Sequence, residues 1–372
     1  MKNKENKNIK KVLFAATVDS HILHFHIPYL KMFKEEGYEV HVATNGNEVI
    51  PYSDKKHKIY FERSPFKLNN FKAIKELRKI IEREQFDVIH CHTPMGSVVT
   101  RLSAMKARKN GTRVIYTAHG FHFFKGASKL NWLIFYPIEK MLSKVTDTLI
   151  TINEEDYNFA KKKFYSKQIE LVHGVGVSPE KFNFEMPEEE KENIRREIGL
   201  EKDDFVMMCV GELNDNKNQI MQINAVKELI REYKNIKLIL AGDGDKKEFL
   251  KQIIEEYNLN KHVKLLGYRR DIPRLLKISN LVLSTSKREG LPVNVIEALI
   301  SKTPVIGTNC RGTRNLIENG TNGYIVEIGD EKDLVEKIKK VMQNNKMDSI
   351  NADKFTLHEI EREMRRIYGF NS

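Results

Sequence analysis

"NLVLSTSKREGLPVNVIEALISKTPVIGT", residues 280–308, holds one complete unit of the fold. Its opening "NLVLSTS" is an apolar, β-branched run without helical spacing, which reads as a buried strand. Lys287 to Leu291 form a loop, and Pro292 suits the first turn of a helix, where a missing N–H is harmless. Val293, Val295, Ile296, Ala298, Leu299 and Ile300 cover most of that helix, while Asn294, Glu297 and Ser301 form a polar stripe at i, i+3 and i+7. "TPVIGTN" then reads as a second strand. Strand, helix and strand at this spacing imply a parallel sheet wound by right-handed crossovers.

Two glutamates in the stretch, Glu289 and Glu297, pose the chemical question. A carboxylate inside an apolar run is costly to bury without a partner. Glu289 precedes the helix N-terminus, and Glu297 lies about 7 Å along its axis. Between them the unpaired amides and partial positive charge of the N-terminus can hold phosphate. A hydroxyl-rich group, a pyrophosphate and a second hydroxyl-rich group in a row would fit that surface, which is the shape of a nucleotide sugar. The alternative is a surface Glu289 and a Glu297 paired with a core Lys or Arg.

The same alternation runs through the chain. "KVLFAAT", "YEVHVAT", "FDVIHCH", "RVIYTAH", "DTLITI" and "IELVHG" read as strands in the first half; "FVMMCVGEL", "IKLILAGDG", "VKLLGY", "NLVLSTS", "TPVIGTN" and "GYIVEIG" do so in the second. Between them lie amphipathic segments such as "FKAIKELRKIIERE", apolar at Phe71, Ile74, Leu77 and Ile81. Two sets of about six strands predict two doubly wound, Rossmann-like α/β domains facing across a cleft, the default ligand site. The expected boundaries are 1–175, 176–355 and a last helix at 356–372 that returns to the first domain.

Composition narrows the class. A chain of 372 residues, 31% charged and 40% apolar, is too long for one ordinary core and has no disorder signature. No apolar stretch approaches the ~20 residues of a membrane span. The N-terminal apolar run stops at Asp19 and reads as a strand rather than a signal peptide. Cys91, Cys209 and Cys310 are widely spaced and suggest neither a disulfide framework nor a zinc site, which fits a cytoplasmic protein. The net charge of +12 lies wholly in residues 1–175, with 30 Lys+Arg against 18 Asp+Glu; the remainder carries 33 against 33. That asymmetry implies an acidic partner or simply a lysine-rich solvated surface. Nucleic acid is one acidic class, but no RRM, KH or helix-turn-helix signature accompanies the charge. "FKGASKLNWLIFYPIEKMLSK" mixes aromatics with lysines, as a segment lying on an anionic inner-membrane surface would, or as a helix packed into its own core.

Several motifs together carry a family resemblance. "SKREGLPVNVIEAL" resembles the E-x7-E motif of the retaining GT-B glycosyltransferases of family 4, the glycosyl transferases group 1. "VGELNDNKNQ", "LILAGDGD", "VKLLGYRRDI" and "GTRNLIENGTNGYIV" follow in the family's order, and "VATNGN", "DVIHCHTP" and "TAHGFHFF" are similar to its first half. The opening "FAATVDSHILHFHIPYLKMFKEEGYEV" resembles transferases of capsular, exopolysaccharide and lipid-linked glycan synthesis. The resemblance covers ~330 residues and implies a UDP-sugar donor, a glycan or polyprenyl-diphosphate-linked acceptor and retention of configuration, with no cofactor or metal. By resemblance Glu289 contacts the donor sugar, Glu297 the ribose and Lys217 the pyrophosphate. Gly290, Leu291, Pro292 and Val293 form the loop whose amides approach sugar and phosphate, with Asn294 beside them. His119 faces the reacting centre. A GT-B-like UDP-N-acetylglucosamine 2-epimerase shares the architecture but lacks this glutamate spacing.

Two departures stand out. Glu212 occupies a place where the family often has Arg, which leaves Lys217 as the one evident cation of that loop, with Arg288 or Arg269 as candidates to compensate. Asp19-Ser20-His21 replaces the usual Gly-Gly of the first loop, which puts Asp19, His21 and His122 on the acceptor side but leaves their contacts open. Asp243-Gly244-Asp245 is literally a DxD, as in metal-dependent transferases, yet it reads equally as a tight turn after "IKLILAG". His21, His24, His26, His90 and His92 crowd strand ends and loops, but no Cys/His set with zinc spacing is visible, so the expectation is no metal.

Overall fold

The computed structural model describes residues 9–62, 64, 67–343 and 353–370. The chain divides into two compact units, Met1–Val175 with His358–Ser372, and Gly176–Leu357. Strands in the first unit are β1 (Lys11–Val18), β2 (Glu39–Asn45), β3 (Lys55–Lys58), β4 (Val88–Cys91), β5 (Arg113–Ala118), β6 (Thr148–Thr151) and β7 (Gln168–Leu171). They form one sheet in the order β3-β2-β1-β4-β5-β6-β7, every pair parallel. Parallel strands are covered on both faces, which is why they read as near-continuous apolar runs. Along β1, Leu13 and Ala15 enter one apolar cluster and Val12, Phe14 and Ala16 the opposite one, as the two-residue period requires.

Where six strands were expected in the first half, there are seven. β3 is "KKHK", with no apolar alternation to announce it, and it pairs only with β2. Lysines suit an edge strand because they discourage further pairing. The helix Asn69–Glu84 also departs from its expected face: Ala73, Leu77 and Ile81 are buried, whereas Phe71 is 66% exposed. The last helix, Leu357–Tyr368, buries Ile360, Met364, Ile367 and Tyr368 in the cluster that holds Phe14 and Phe33. Arg113 fastens its end by donating to the carbonyls of Ile367 (2.6 Å) and Tyr368 (3.2 Å).

The second unit contains β8 (Phe205–Val210), β9 (Ile236–Ala241), β10 (Val263–Gly267), β11 (Leu281–Ser284), β12 (Val305–Thr308) and β13 (Gly323–Val326). Their order is β10-β9-β8-β11-β12-β13, again wholly parallel, and each coincides with a strand read from the sequence. Chain order reverses between β8 and β11, so the loops leaving these two neighbours lie at the topological switch point, where open α/β sheets bind ligands.

The exit of β1 is pinned by Asp19. Expected on the acceptor side, this carboxylate is instead 4% exposed and satisfied within its own unit. It accepts from Thr44 Oγ1 (2.5 Å), Lys56 Nζ (2.7 Å) and the Glu48 amide (2.8 Å). A Cβ on Gly46 would fall 2.1 Å from Asp19 Oδ2, so the turn after β2 needs glycine there. Burial would raise the Asp19 pKa, but its hydrogen bonds from Lys56, Thr44 and Glu48 hold it below 3.8. Its stabilising contribution is therefore present above that pH and fades only below it. Asp19→Ala is expected to destabilise the first unit by ~3 kcal/mol at pH 7, on the scale of hydrogen bonds to a buried charge. Urea unfolding read on the first unit's transition checks this, and a loss under ~0.5 kcal/mol would contradict it.

Candidate functional site

Two loops of the second unit build the site. One follows β8 and carries Gly211 to Asn218; the other follows β11 and carries Thr285 to Pro292. Backbone and side-chain bonds stitch them together: the Lys287 amide donates to Asn216 O (2.7 Å), Asn216 Nδ2 to Arg288 O (3.0 Å), and Thr285 Oγ1 to the carbonyls of Lys217 (3.1 Å) and Asn218 (3.0 Å). Gly211, at φ +152°, lets the Lys217 stem pass close; a Cβ there would lie 3.2 Å from Lys217 Cε. Gly312 plays the same part for Gly290, whose carbonyl oxygen would lie 2.5 Å from an added Cβ.

Across this junction Lys217 Nζ donates to Glu289 Oε1 at 2.7 Å. Sequence reading gives these two residues separate tasks; the fold makes them one ion pair. Burial would lower the Lys217 pKa, but the Glu289 charge outweighs it and the ammonium is held. Glu297 lies on the helix Val293–Ile300, between buried Ile296 and Ala298. Its carboxylate has no hydrogen-bond or ion-pair partner among the described residues, and burial alone pushes its pKa up to about 7. The core Lys or Arg partner that the sequence left open is therefore not there. Pro292 stands at the N-cap, one place before the first helical residue, rather than inside the first turn. Asn294 uses its amide within the fold, donating to Val210 O at 2.9 Å, and Leu291 and Val293 pack against the core.

A buried basic residue does lie at this junction, but it is not one of those named from sequence. Arg269 is engaged in a bidentate pair with Asp271, at 2.8 and 2.6 Å. Glu212 accepts from Asn214 Nδ2 at 3.0 Å, a bond internal to its own loop. Arg311, not considered from sequence, is 4% exposed at the carboxyl end of β12, with Nε 3.3 Å from the Glu289 carbonyl. A basic residue just past a strand that neighbours β11 was the available signal. Asp243, at the DxD, caps the Gly244 amide (3.0 Å) and pairs with Lys247 (3.4 Å).

In the first unit His119 follows β5, and His21 lies on the helix Asp19–Phe25. Their Nε2 atoms are 3.3 Å apart. Burial lowers the His119 pKa to about 4; burial and repulsion from His119 and His24 lower that of His21 to about 2. His26 and the strand-end His92 join them, so four ring nitrogens lie within 4.8 Å of one another. The sequence, with these residues scattered over a hundred positions, showed no such set. His122 is elsewhere, its ring tilted against Phe135 (4.7 Å between centroids) and lining an apolar cavity of ≈ 190 Å³ with Phe71, Met95, Leu102 and Tyr116. The exposed Phe71 thus borders that cavity. No helix among the described residues is long and apolar enough to cross a membrane.

Comparison with known proteins agrees with this architecture. The family described as Glycosyl transferases group 1 matches residues 190–353, and Glycosyl transferase 4-like matches residues 11–153. The chain is 43% identical over 333 residues to the "Putative glycosyltransferase EpsD" of Bacillus subtilis (strain 168), covering 89% of this chain and 87% of that one. It is 29% identical over 279 residues to the UDP-Gal:alpha-D-GlcNAc-diphosphoundecaprenol alpha-1,3-galactosyltransferase of Escherichia coli, covering 74% and 71%. Among solved structures, Anabaena HepE in complex with UDP and glucose superimposes with a TM-score of 0.78 at 19% identity, over 97% of this chain and 99% of that one, a likeness of fold.

The unpaired Glu297 has a thermodynamic signature. A folded pKa of about 7, above the ordinary 4.5, means the folded chain keeps a proton that the unfolded chain has lost between those values. Stability therefore falls as pH rises through that window. Glu297→Gln removes the term: the variant should match the parent near pH 4.5 and exceed it by up to ~3 kcal/mol at pH 8. Ligand-free unfolding at the two pH values measures this, and an equal offset at both would contradict it.

Proposed function

The chain belongs to the glycosyl transferases group 1 family, and from that premise we propose that it moves a hexose or N-acetylhexosamine from a UDP-sugar to a hydroxyl of a lipid-linked glycan, with retention of configuration and without a metal at the donor. The observation that carries this reading is the Lys217–Glu289 ion pair set beside the unpartnered Glu297 at the switch point of the second sheet. Glu297 would accept hydrogen bonds from the ribose hydroxyls, which supplies the partners its burial otherwise denies. The donor's pyrophosphate would draw Lys217 away from Glu289, so that the ammonium neutralises phosphate and the freed carboxylate accepts from sugar hydroxyls. Arg311 is the cation that supports the same loop in place of the family's common Arg.

In such a transfer the bond from the anomeric carbon to the phosphate oxygen breaks as negative charge grows on the leaving UDP. Preorganised donors at that charge are worth more in a water-poor site than in solvent. Lys217 and the amide N–H groups of Gly290, Leu291 and Val293 would serve as those donors, and Glu289 would fix the sugar rather than supply a proton. The leaving phosphate is the base for the acceptor hydroxyl, on the same face as departure, which gives retention. His119, neutral at physiological pH, would be the first unit's residue at the reacting centre.

The donor class draws support from the names of relatives: the Escherichia coli enzyme uses UDP-Gal and an undecaprenol-diphosphate acceptor, and HepE was crystallised with UDP and glucose. A role in exopolysaccharide or lipid-linked glycan synthesis follows from the same likeness. The apolar cavity of the first unit is a seat for the start of such a lipid. Lys217→Ala and Glu289→Ala are each expected to lower turnover of a UDP-sugar at least ~100-fold, the usual loss of one charge-stabilising donor. Transfer to a short polyprenyl-diphosphate glycan is the assay, and near-normal rates in both variants would reject the assignment.

A further inference from the structure

Four histidines of the first unit have no place in donor chemistry yet converge. His21 comes from the helix after β1, His26 from the junction with the next helix, His92 from the end of β4 and His119 from the end of β5. Strands β1, β4 and β5 are consecutive neighbours in the sheet, so their carboxyl ends gather these side chains from distant sequence. One nitrogen from each ring lies within 4.8 Å of the other three. His26 and His92 stack at 3.7 Å between ring centroids, 1% and 0% exposed, while His21 and His119 stand at the half-buried edge.

The buried pair is the telling observation. Neither ring nitrogen of His26, and neither of His92, has a hydrogen-bond partner among the described residues. A buried donor or acceptor left without a partner forfeits the hydrogen bond water would have given it, and these are four such atoms in one place. Histidines packed for shape alone are treated differently in this same sheet. His90, two residues before His92 and equally buried, bonds the Tyr368 hydroxyl through Nδ1 (2.9 Å) and Thr117 Oγ1 through Nε2 (2.8 Å). The separation of the edge pair points the same way. His21 Nε2 and His119 Nε2 stand 3.3 Å apart, close to the ~3.4 Å between two nitrogens bound to one tetrahedral zinc at 2.0–2.1 Å. That distance also suits an N–H···N bond, so it serves both the empty and the filled state.

We infer that His21, His26, His92 and His119 form a binding site for a divalent transition-metal ion of the zinc class. Imidazole nitrogen is the ligand type such ions favour. An ion there would tie the helix after β1 to the ends of β4 and β5, and would be reached from the His21–His119 edge. It would also take the His119 nitrogen out of play as a free imidazole, leaving a cation facing whatever hydroxyl or phosphate arrives at that edge. The site is distinct from Lys217, Glu289 and Glu297, which need no metal in the donor reading.

The test uses the full chain, stripped by a chelator and titrated with Zn2+ and with Co2+. The expected result is one equivalent of Zn2+ retained through desalting, measured by elemental analysis, and a ligand-field absorption of Co2+ bound by nitrogen. His21→Ala and His119→Ala, both at the edge and tolerable to the fold by circular dichroism, should each weaken Zn2+ binding at least ~100-fold, more than the loss of an outer-sphere partner. His24→Ala, an exposed histidine bonded to Ser20 O, should bind as the parent does. Negligible retention with no Co2+ absorption in the parent would overturn the inference and assign the cluster to buried water. Undiminished Zn2+ binding in both edge variants would overturn it as well. Because binding is read directly, this outcome is independent of transfer activity, and a failed donor assignment would leave it standing.

Discussion

The ion pair between Lys217 and Glu289 is the constraint around which the second unit's site is organised. It spans the loops that leave β8 and β11, the two neighbours at which strand order reverses. Everything else in the loops serves that junction: the Asn216 and Lys287 bonds hold the two backbones in register, and Gly211 and Gly312 remove the Cβ atoms that would keep them apart. An ammonium held charged beside a carboxylate in a half-buried place is stable while empty and has an obvious exchange partner in a diphosphate. Function in this reading is a change of partners, with Glu289 passing from a lysine to sugar hydroxyls.

Glu297 shows the other half of the logic. Eight residues on, a second carboxylate is kept in an apolar helix with no partner among the described residues to offset its burial. A fold under selection for stability alone would replace it; in the donor reading, keeping it trades stability for a preformed acceptor. The pair and the lone acid are complementary devices, one charge satisfied and exchangeable, the other unsatisfied and waiting. His26 and His92 of the first unit repeat the second device with nitrogen in place of oxygen.

Much of this was legible in the sequence, for definable reasons. Parallel strands buried on both faces declare themselves as apolar runs, so all six strands of the second sheet were readable, and the polar stripe on one buried helix marked Glu297. What escaped was of two kinds. β3 has the composition of an edge and no alternation, so no periodicity could reveal it. Asp19, Arg311 and the histidine cluster depend on which strand ends become neighbours. Asp19 looked like a ligand-facing residue because its partners, Thr44 and Lys56, come from β2 and β3. Arg311 was passed over for Arg269, which is nearer a recognisable motif but is spent on Asp271. Sequence spacing sees ligands on one helix or loop; it does not see three adjacent strands delivering them from positions 21, 26, 92 and 119.

The central claim is that Glu297 lacks a partner until a ribose arrives, and proton exchange on nucleotide binding reads it directly. Calorimetric titration of UDP into the chain at pH 6.5, in buffers of different ionisation enthalpy, counts the protons that move. With Glu297 near pKa 7 when empty and a hydrogen-bonded carboxylate when occupied, a substantial fraction of one proton should be released, and affinity should rise with pH up to about 7. Glu297→Gln should bind without that release. Tight UDP binding with no proton exchange, or with the same exchange in the variant, would contradict the account.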